Sequence, residues 1–284
     1  MAIIMEGKTL SQNLLKSAKQ SVESLKQANK LVGLAVISVG NDPASKTYVY
    51  NKKKACEETG ITFFHYELPE TCTQEELEIV IDDMNCTPMV SGIILQLPVP
   101  AHLNADLAIK KIDPRKDVDG LSPLNAGCLA LNKLYKGFVP CTANGIIDLL
   151  DHYAIQLSGK HVVIVGRSNL VGKPLAQLML QRDATVTICH SFTNDLAAHT
   201  RQADIVVCAV GKPNLITADM VKDGSVVVDV GINRVNGKLC GDVDFENVKE
   251  KASHITPVPG GVGKMTVAEL ICNTIDAALT FEKQ

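Results

Sequence analysis

The 284-residue sequence predicts an α/β protein with largely parallel sheets. Three observations lead there. Short apolar runs closed by glycine or proline alternate with segments of helical period. The alternation recurs in both halves of the chain. In the middle, His161 to Leu180 reads as a buried strand, a glycine turn and the start of a helix. The length suits two domains of ordinary size.

Taken in order, Leu10 to Leu25 has the spacing of an amphipathic helix. Gly33 to Val39 is a strand stopped by Gly40. Asp42 then caps a helix and Pro43 suits its first position, with Gly60 as the stop. Ile61 to Leu68 is a second strand, Thr73 to Met84 a helix with an acidic start, and Ser91 to Leu97 a third strand ended by Pro98 and Pro100. A helix over Ala105 to Lys111 follows. Asp113 to Pro140, rich in Pro, Gly, Asn and Asp, reads as connection. Thr142 to Tyr153 is helical and leads into Val162 to Val165, whose four apolar residues suit a strand buried on both faces. Val171, Leu175, Leu178 and Met179 then share one helical face, with Pro174 in the first turn, where its missing N–H leaves no partner unmet. Further strands fall at Thr185 to Cys189, Asp204 to Val210, Ser225 to Val230 and His254 to Thr256. Asn236-Gly237 signals a tight hairpin, and Thr266 to Phe281 is the last helix.

The composition narrows the classes of function. Lys plus Arg is 28 against 31 for Asp plus Glu, so no global attraction for nucleic acid or an anionic membrane is expected. No run approaches the ~18 apolar residues of a membrane helix. The first ten residues have neither a basic region nor a long apolar stretch, so no signal peptide is expected. The nine cysteines are an odd number without a C-x-x-C, and the seven histidines are scattered. Both facts point to reduced, cytoplasmic packing cysteines and to no metal site.

Four constellations are candidates for chemistry. Gly166-Arg167-Ser168 turns the chain between strand and helix, where free N–H groups and a positive dipole end suit an anion. The outer glycines, Gly166 and Gly172, are six apart, against five in the usual dinucleotide fingerprint. The next strand ends Cys189-His190-Ser191, without the acid that would bind an NAD ribose. Arg167 with Ser191 instead suits a 2′-phosphate, so NADP is expected over NAD. Second, Tyr48 and Lys52 are i and i+4 on one helix, with Ser45 a turn earlier. They form either an aromatic, proton-moving substrate face or a solvated lysine-rich one. Third, Gln96-Leu97-Pro98 stands at the carboxyl end of a parallel strand, where open sheets bind ligands or where a proline turn simply ends the strand. Fourth, Asp117 and Asp119 beside Gly120 either bind amino groups or close a turn. Gly260 to Lys264 resembles the end of a P-loop, but Val258 and Met265 occupy required positions, which excludes that motif.

YVYNKKKA, GIILQLPVP, KDVDG, VVIVGRSNLVGKP, VGKP, DVGIN and ITPVPGGVG follow one another from about Val39 to Thr266. This ordered series resembles the bifunctional methylenetetrahydrofolate dehydrogenase/methenyltetrahydrofolate cyclohydrolase family. The resemblance implies two α/β domains with a cleft between them, the second a Rossmann-type NADP-binding domain, and a homodimer. It implies residues 1–120 plus 267–284 as the folate-binding catalytic domain, 140–266 as the NADP-binding domain and 121–139 as the connection.

It also implies the reaction. NADP takes a hydride from 5,10-methylene-tetrahydrofolate, giving the methenyl form, and water then opens that form to 10-formyl-tetrahydrofolate. Carried over by position, Lys52 is the catalytic lysine and Tyr48 packs on the folate. Gln96 tunes Lys52, Asp119 anchors the pterin, and Leu97, Pro98, Pro259, Gly260 and Gly261 line the substrate. Gly166, Arg167, Ser168, Ser191 and Ile232 hold NADP. Lys53 and Lys54 add positive potential that favours a neutral Lys52 amine. Ala143 and Lys264 stand where the family commonly has proline. The nearest alternative is a monofunctional NAD(P)-dependent dehydrogenase of the same fold, for which hydride transfer alone would not demand the Tyr48, Lys52 and Gln96 set.

Overall fold

In the computed structural model, which describes residues 2–132 and 137–280, the chain divides into two units. One joins Met1–Ser11 to Thr142–Thr266, and the other joins Gln12–Cys141 to Val267–Gln284. Residues 2–11 therefore belong with the second half of the chain rather than with residues 12–120. The cause is β1 (Ile3–Ile4), which pairs in parallel with a strand near residue 254.

The unit built on Gln12–Cys141 has a three-stranded parallel sheet in the order β3 (Thr62–Leu68), β2 (Gly33–Val39), β4 (Gly92–Leu95). Every residue of β2 and β4 is buried, as expected of strands covered on both faces. Helix α1 (Lys8–Gln27) packs Ala18, Val22 and Leu25 against one side of this sheet. α2 (Pro43–Thr59) begins where Asp42 Oδ2 accepts from the Ser45 N–H at 2.7 Å and ends at Gly60, whose φ of +82° closes the left-handed cap. α3 (Gln74–Cys86) opens with a reciprocal capping box between Thr73 and Glu76. α4 (Ala105–Lys111) has Asn104 as its cap.

The expected connection over 121–139 contains a helix, α5 (Pro123–Leu131), and residues 133–136 of it lie outside the described residues. Ser122 caps this helix and Pro123 takes its first position. These are ordinary start signals, masked in the sequence by the surrounding turn-forming residues. α6 (Cys141–His152) follows. The last helix, α10, covers Val262–Thr280, starting four residues before the expected Thr266; Phe281 lies outside the described residues.

The other unit is a six-stranded, wholly parallel sheet, in the order β1, β11 (His254–Ile255), β8 (Val226–Asp229), β7 (Ile205–Cys208), β5 (His161–Val165), β6 (Thr185–Cys189). The chain leaves β5 to one side and later returns to its other side. That reversal is the switch point at which such sheets open a crevice beyond their carboxyl ends. Leu175 and Met179 of α7 (Gly172–Gln181) are fully buried in the core with Val162 and Ile164. α8 (Leu196–Thr200) and α9 (Phe245–Val248) are short. Asn236 and Gly237 both have positive φ and join β9 (Asn233–Val235) to β10 (Lys238–Cys240) as a tight hairpin.

Candidate active site

In the first of these units, α2 carries Lys52 to the carboxyl end of β4. The Lys52 Nζ donates to Gln96 Oε1 at 2.8 Å. The Gln96 amide Nε2 donates in turn to the Leu97 carbonyl at 2.7 Å, so the oxygen is the atom left facing the lysine. Gln96 itself is buried and its N–H is held by the Ile37 carbonyl of β2. The lysine is half-buried as a residue, but its amine end is enclosed. Burial lowers its pKa from the usual lysine value, while Asp119, Cys141 and Cys56 pull it back upward. Leu97 is half-buried and Pro98 exposed, with a cis bond between them.

Asp119 and Asp117 have different surroundings. Asp117 is buried and accepts from the Leu121 and Ser122 N–H groups and from Asn125 Nδ2 at 2.8 Å, so it closes the turn that starts α5. Asp119 shares its surroundings with Lys52 and the Cys141 thiol. Burial raises its pKa, and the Lys52 charge and the thiol oppose that rise. Asn273 of α10 donates to the Val118 and Val139 carbonyls, at 2.9 and 3.1 Å, tying down the chain on both sides of this pair. Neither Asn273 nor Cys141 stands out in the sequence as a support residue, because the partners of each are brought to it by the fold and not by sequence spacing.

Tyr48 is 40% exposed, one turn before Lys52. The Ser45 hydroxyl is buried without a hydrogen-bond partner among the described residues. It borders a cavity of about 150 Å³ that Gln96, Pro98, Ser38, His65 and Tyr50 also line. A buried amine, the amide that accepts from it, a carboxylate and an exposed aromatic ring thus belong to one neighbourhood, suited to proton transfer on a flat heterocycle.

The second neighbourhood is the turn after β5. Gly166 has φ +124°, and a Cβ there would lie 2.4 Å from the Ala209 carbonyl oxygen. Ser168 Oγ accepts from the Val171 N–H at 3.1 Å, which shapes the entry to α7. Arg167 and Ser168 are exposed, as is Ser191 in the loop after β6. Val165 pairs with Cys189, and the Gly166 N–H donates to the Cys189 carbonyl at 2.9 Å, so the two loops are neighbours. A turn that opens on a glycine, an open helix start and an exposed guanidinium fit a phosphorylated dinucleotide.

Ile232 is 45% exposed, and a Cβ on Gly263 would lie 3.7 Å from its Cδ1 atom. Pro259 follows a cis bond, Gly260 has φ +117°, and the Gly260 carbonyl accepts from the Gly7 N–H at 2.9 Å. A Cβ on Gly261 would lie 2.8 Å from the Pro257 carbonyl oxygen. Lys264 is exposed at the start of α10.

The sequence reading missed two carboxylates that build this region. Asp242 is fully buried and accepts from the N–H groups of Val210, Gly211 and Lys212 at 2.7, 3.0 and 2.7 Å, and from Asn233 Nδ2. Asp229 accepts from the N–H groups of Gly231, Asp242 and Val243. Burial pushes its carboxyl up to about 6. The signal was the aspartate opening DVGIN and the one in the Gly-Asp-Val-Asp run after the hairpin. Among the described residues no group of three potential ligands stands together as a metal site.

Two family models match. Residues 5–119 match the tetrahydrofolate dehydrogenase/cyclohydrolase catalytic domain, and residues 140–282 match the NAD(P)-binding domain of the same family. A relative from a Nitratiruptor species, the bifunctional protein FolD, is 53% identical over 279 residues, 97% of each chain. The solved structure of the bifunctional FolD dehydrogenase/cyclohydrolase from Campylobacter jejuni is 49% identical, with a TM-score of 0.97 over 99% of this chain and all of that one. The Trypanosoma brucei dehydrogenase-cyclohydrolase, solved with NADP cofactor and inhibitor, is 37% identical with a TM-score of 0.95, covering all of this chain and 99% of that one. With both models matched in order and identity near one half along its length, the chain belongs to the tetrahydrofolate dehydrogenase/cyclohydrolase family.

Proposed function

We propose that the chain oxidises 5,10-methylene-tetrahydrofolate to the 5,10-methenyl form with NADP and hydrolyses that product to 10-formyl-tetrahydrofolate. The observation that carries this reading is the 2.8 Å hydrogen bond from the buried Lys52 amine to Gln96. The turn at Gly166, with Arg167, Ser168, Ser191 and Ile232, would hold NADP, which supplies the hydride acceptor when bound. Leu97, Pro98, Pro259, Gly260 and Gly261 would line the folate, with Tyr48 against its ring and Asp119 on the pterin.

The hydrolysis falls to the lysine. Burial keeps Lys52 neutral to lower pH than a free lysine, which favours its taking a proton from water. Water adds to the methenyl carbon and gives one proton to Lys52. The bond from that carbon to N5 then breaks and the hydroxyl becomes the formyl oxygen. N5 gains a proton, the formyl group stays on N10, and one proton leaves to solvent. Gln96 fixes the direction of the amine throughout. Asp119 opposes the loss of charge and so limits how far the lysine's proton affinity falls. The reading extends to a homodimer in the cytoplasm, supported by the resemblance and the cysteine usage. No helix among the described residues is long and apolar enough to cross a membrane.

The test supplies methylene-tetrahydrofolate with NADP or NAD and follows methenyl and formyl products separately. Lys52→Met should leave NADP affinity within about two-fold and cut hydrolysis by at least ~100-fold, the usual scale for a lost acid-base group. A variant that still hydrolyses at full rate removes Lys52 from the mechanism. Sedimentation of the purified chain tests the dimer.

A further inference from the structure

The loop after β6 shows an anomaly. Phe192 is 80% exposed, although nothing in the packing of the sheet requires an aromatic ring there. The loop holds it firmly nonetheless. The His190 N–H donates to Thr193 Oγ1 at 2.8 Å, and the Thr193 N–H donates back to the His190 carbonyl at 2.9 Å. The Phe192 N–H donates to His190 Nδ1 at 3.2 Å, and the two rings meet edge to face at 6.2 Å. On the ring lies the guanidinium of Arg167, its Cζ 5.7 Å from the centroid. That distance is within the range of a cation–π contact.

We propose that Phe192 is a positioning residue for cofactor choice: it holds the Arg167 guanidinium ready for the 2′-phosphate of NADP. This rests on the reading of the β5 turn as the dinucleotide seat. A free arginine on an exposed turn samples many rotamers and must be ordered when the phosphate arrives. An arginine already held over a ring has lost much of that freedom, so less affinity is spent on ordering it. A guanidinium held over a ring still has N–H donors for a phosphate in a planar fork, which a lysine in the same place would not offer. NAD has no 2′-phosphate and gains nothing from this arrangement. The ring therefore acts on the ratio of the two affinities.

The experiment measures dissociation constants for NADP and NAD on the full chain by calorimetry, for Phe192→Ala, Phe192→Tyr, Arg167→Ala and the Arg167→Ala/Phe192→Ala double variant. Phe192→Ala should lower the NADP-over-NAD preference roughly 3- to 5-fold, the scale of an exposed cation–π contact. Phe192→Tyr, which keeps the ring, should restore it. Adding Phe192→Ala to Arg167→Ala should change the preference no further, because the ring acts only through the guanidinium. If Arg167→Ala erodes the preference while Phe192→Ala leaves the ratio unmoved, the seat stands and the role of Phe192 is refuted. An unchanged ratio in Arg167→Ala overturns both.

Discussion

A Cβ atom on Gly172 would stand 2.1 Å from the carbonyl oxygen of Gly166. The helix start and the turn it faces are thus in backbone contact, six residues apart. Gly172→Ala must push one of them away. The expected cost is about 2–3 kcal/mol, the scale of an overpacked core, because backbone and not a mobile side chain has to yield. Urea unfolding measures the loss. NADP affinity should fall with it, and an alanine variant with wild-type stability would contradict the contact.

Lys52 and Asp119 predict a pH profile. Burial lowers the lysine's pKa and Asp119 raises it, so removing the carboxylate should lower it further. Hydrolysis that needs the neutral amine rises as pH passes upward through that pKa. In Asp119→Asn the rise should move to lower pH. The profile should be read on kcat, because loss of the proposed pterin contact would raise KM as well. A shift to higher pH would contradict the electrostatics.

Asp117 predicts a stability slope. Its carboxyl is pushed up to about 6 by burial, against an unfolded value of 3.8. Between these values the folded chain holds a proton that the unfolded chain has released, so this group's contribution declines as pH rises through the window. The decline amounts to up to about 3 kcal/mol, from a shift of roughly two units. Asp117→Asn removes the decline, so stability should climb more steeply from pH 4 to 6 than in the parent. The variant should also be weaker overall, since the carboxylate's contacts with Leu121, Ser122 and Asn125 are disturbed. Urea midpoints at several pH values test both statements.

Asp242 gathers the N–H groups of Val210, Gly211 and Lys212. Asp242→Ala takes the acceptor from three N–H groups on an exposed stretch of loop, at about 3 kcal/mol in total given ~1 for each hydrogen bond lost. Hydrogen exchange at these three amides should accelerate in the variant. Unchanged protection would mean that the loop is held by other contacts.

Much of the fold was legible because its signals are local. Asp42-Pro43 and Gly60 bound α2, and Asn236-Gly237 makes the hairpin, through chemistry confined to a few adjacent residues. The buried strands were legible as apolar runs. What stayed hidden acts across the chain. β1 is two residues long and is a strand only because His254 and Ile255 lie beside it. α5 has a clear cap in Ser122, but Gly, Asn and Pro around it read as loop. Of the candidate site, the helical spacing put Tyr48 and Lys52 on one face. The hydrogen bond to Gln96 spans 44 positions, and only the fold reveals it. Asp117 and Asp119 look alike in sequence. Their difference, turn closure against proximity to Lys52, is a matter of three-dimensional surroundings.

The pairing of Ile3 and Ile4 with His254 and Ile255 also sets a timetable. The ribosome makes β1 some 250 residues before the strand that accepts it. Until β11 emerges, the edge of the six-stranded sheet has no place to form, and Gln12–Cys141 has been synthesised in between. Loop-closure entropy grows only slowly with length, so the long wait adds little to the thermodynamic cost. It does place closure of that edge among the late events of synthesis, and it leaves two isoleucines waiting without their partner strand in the nascent chain.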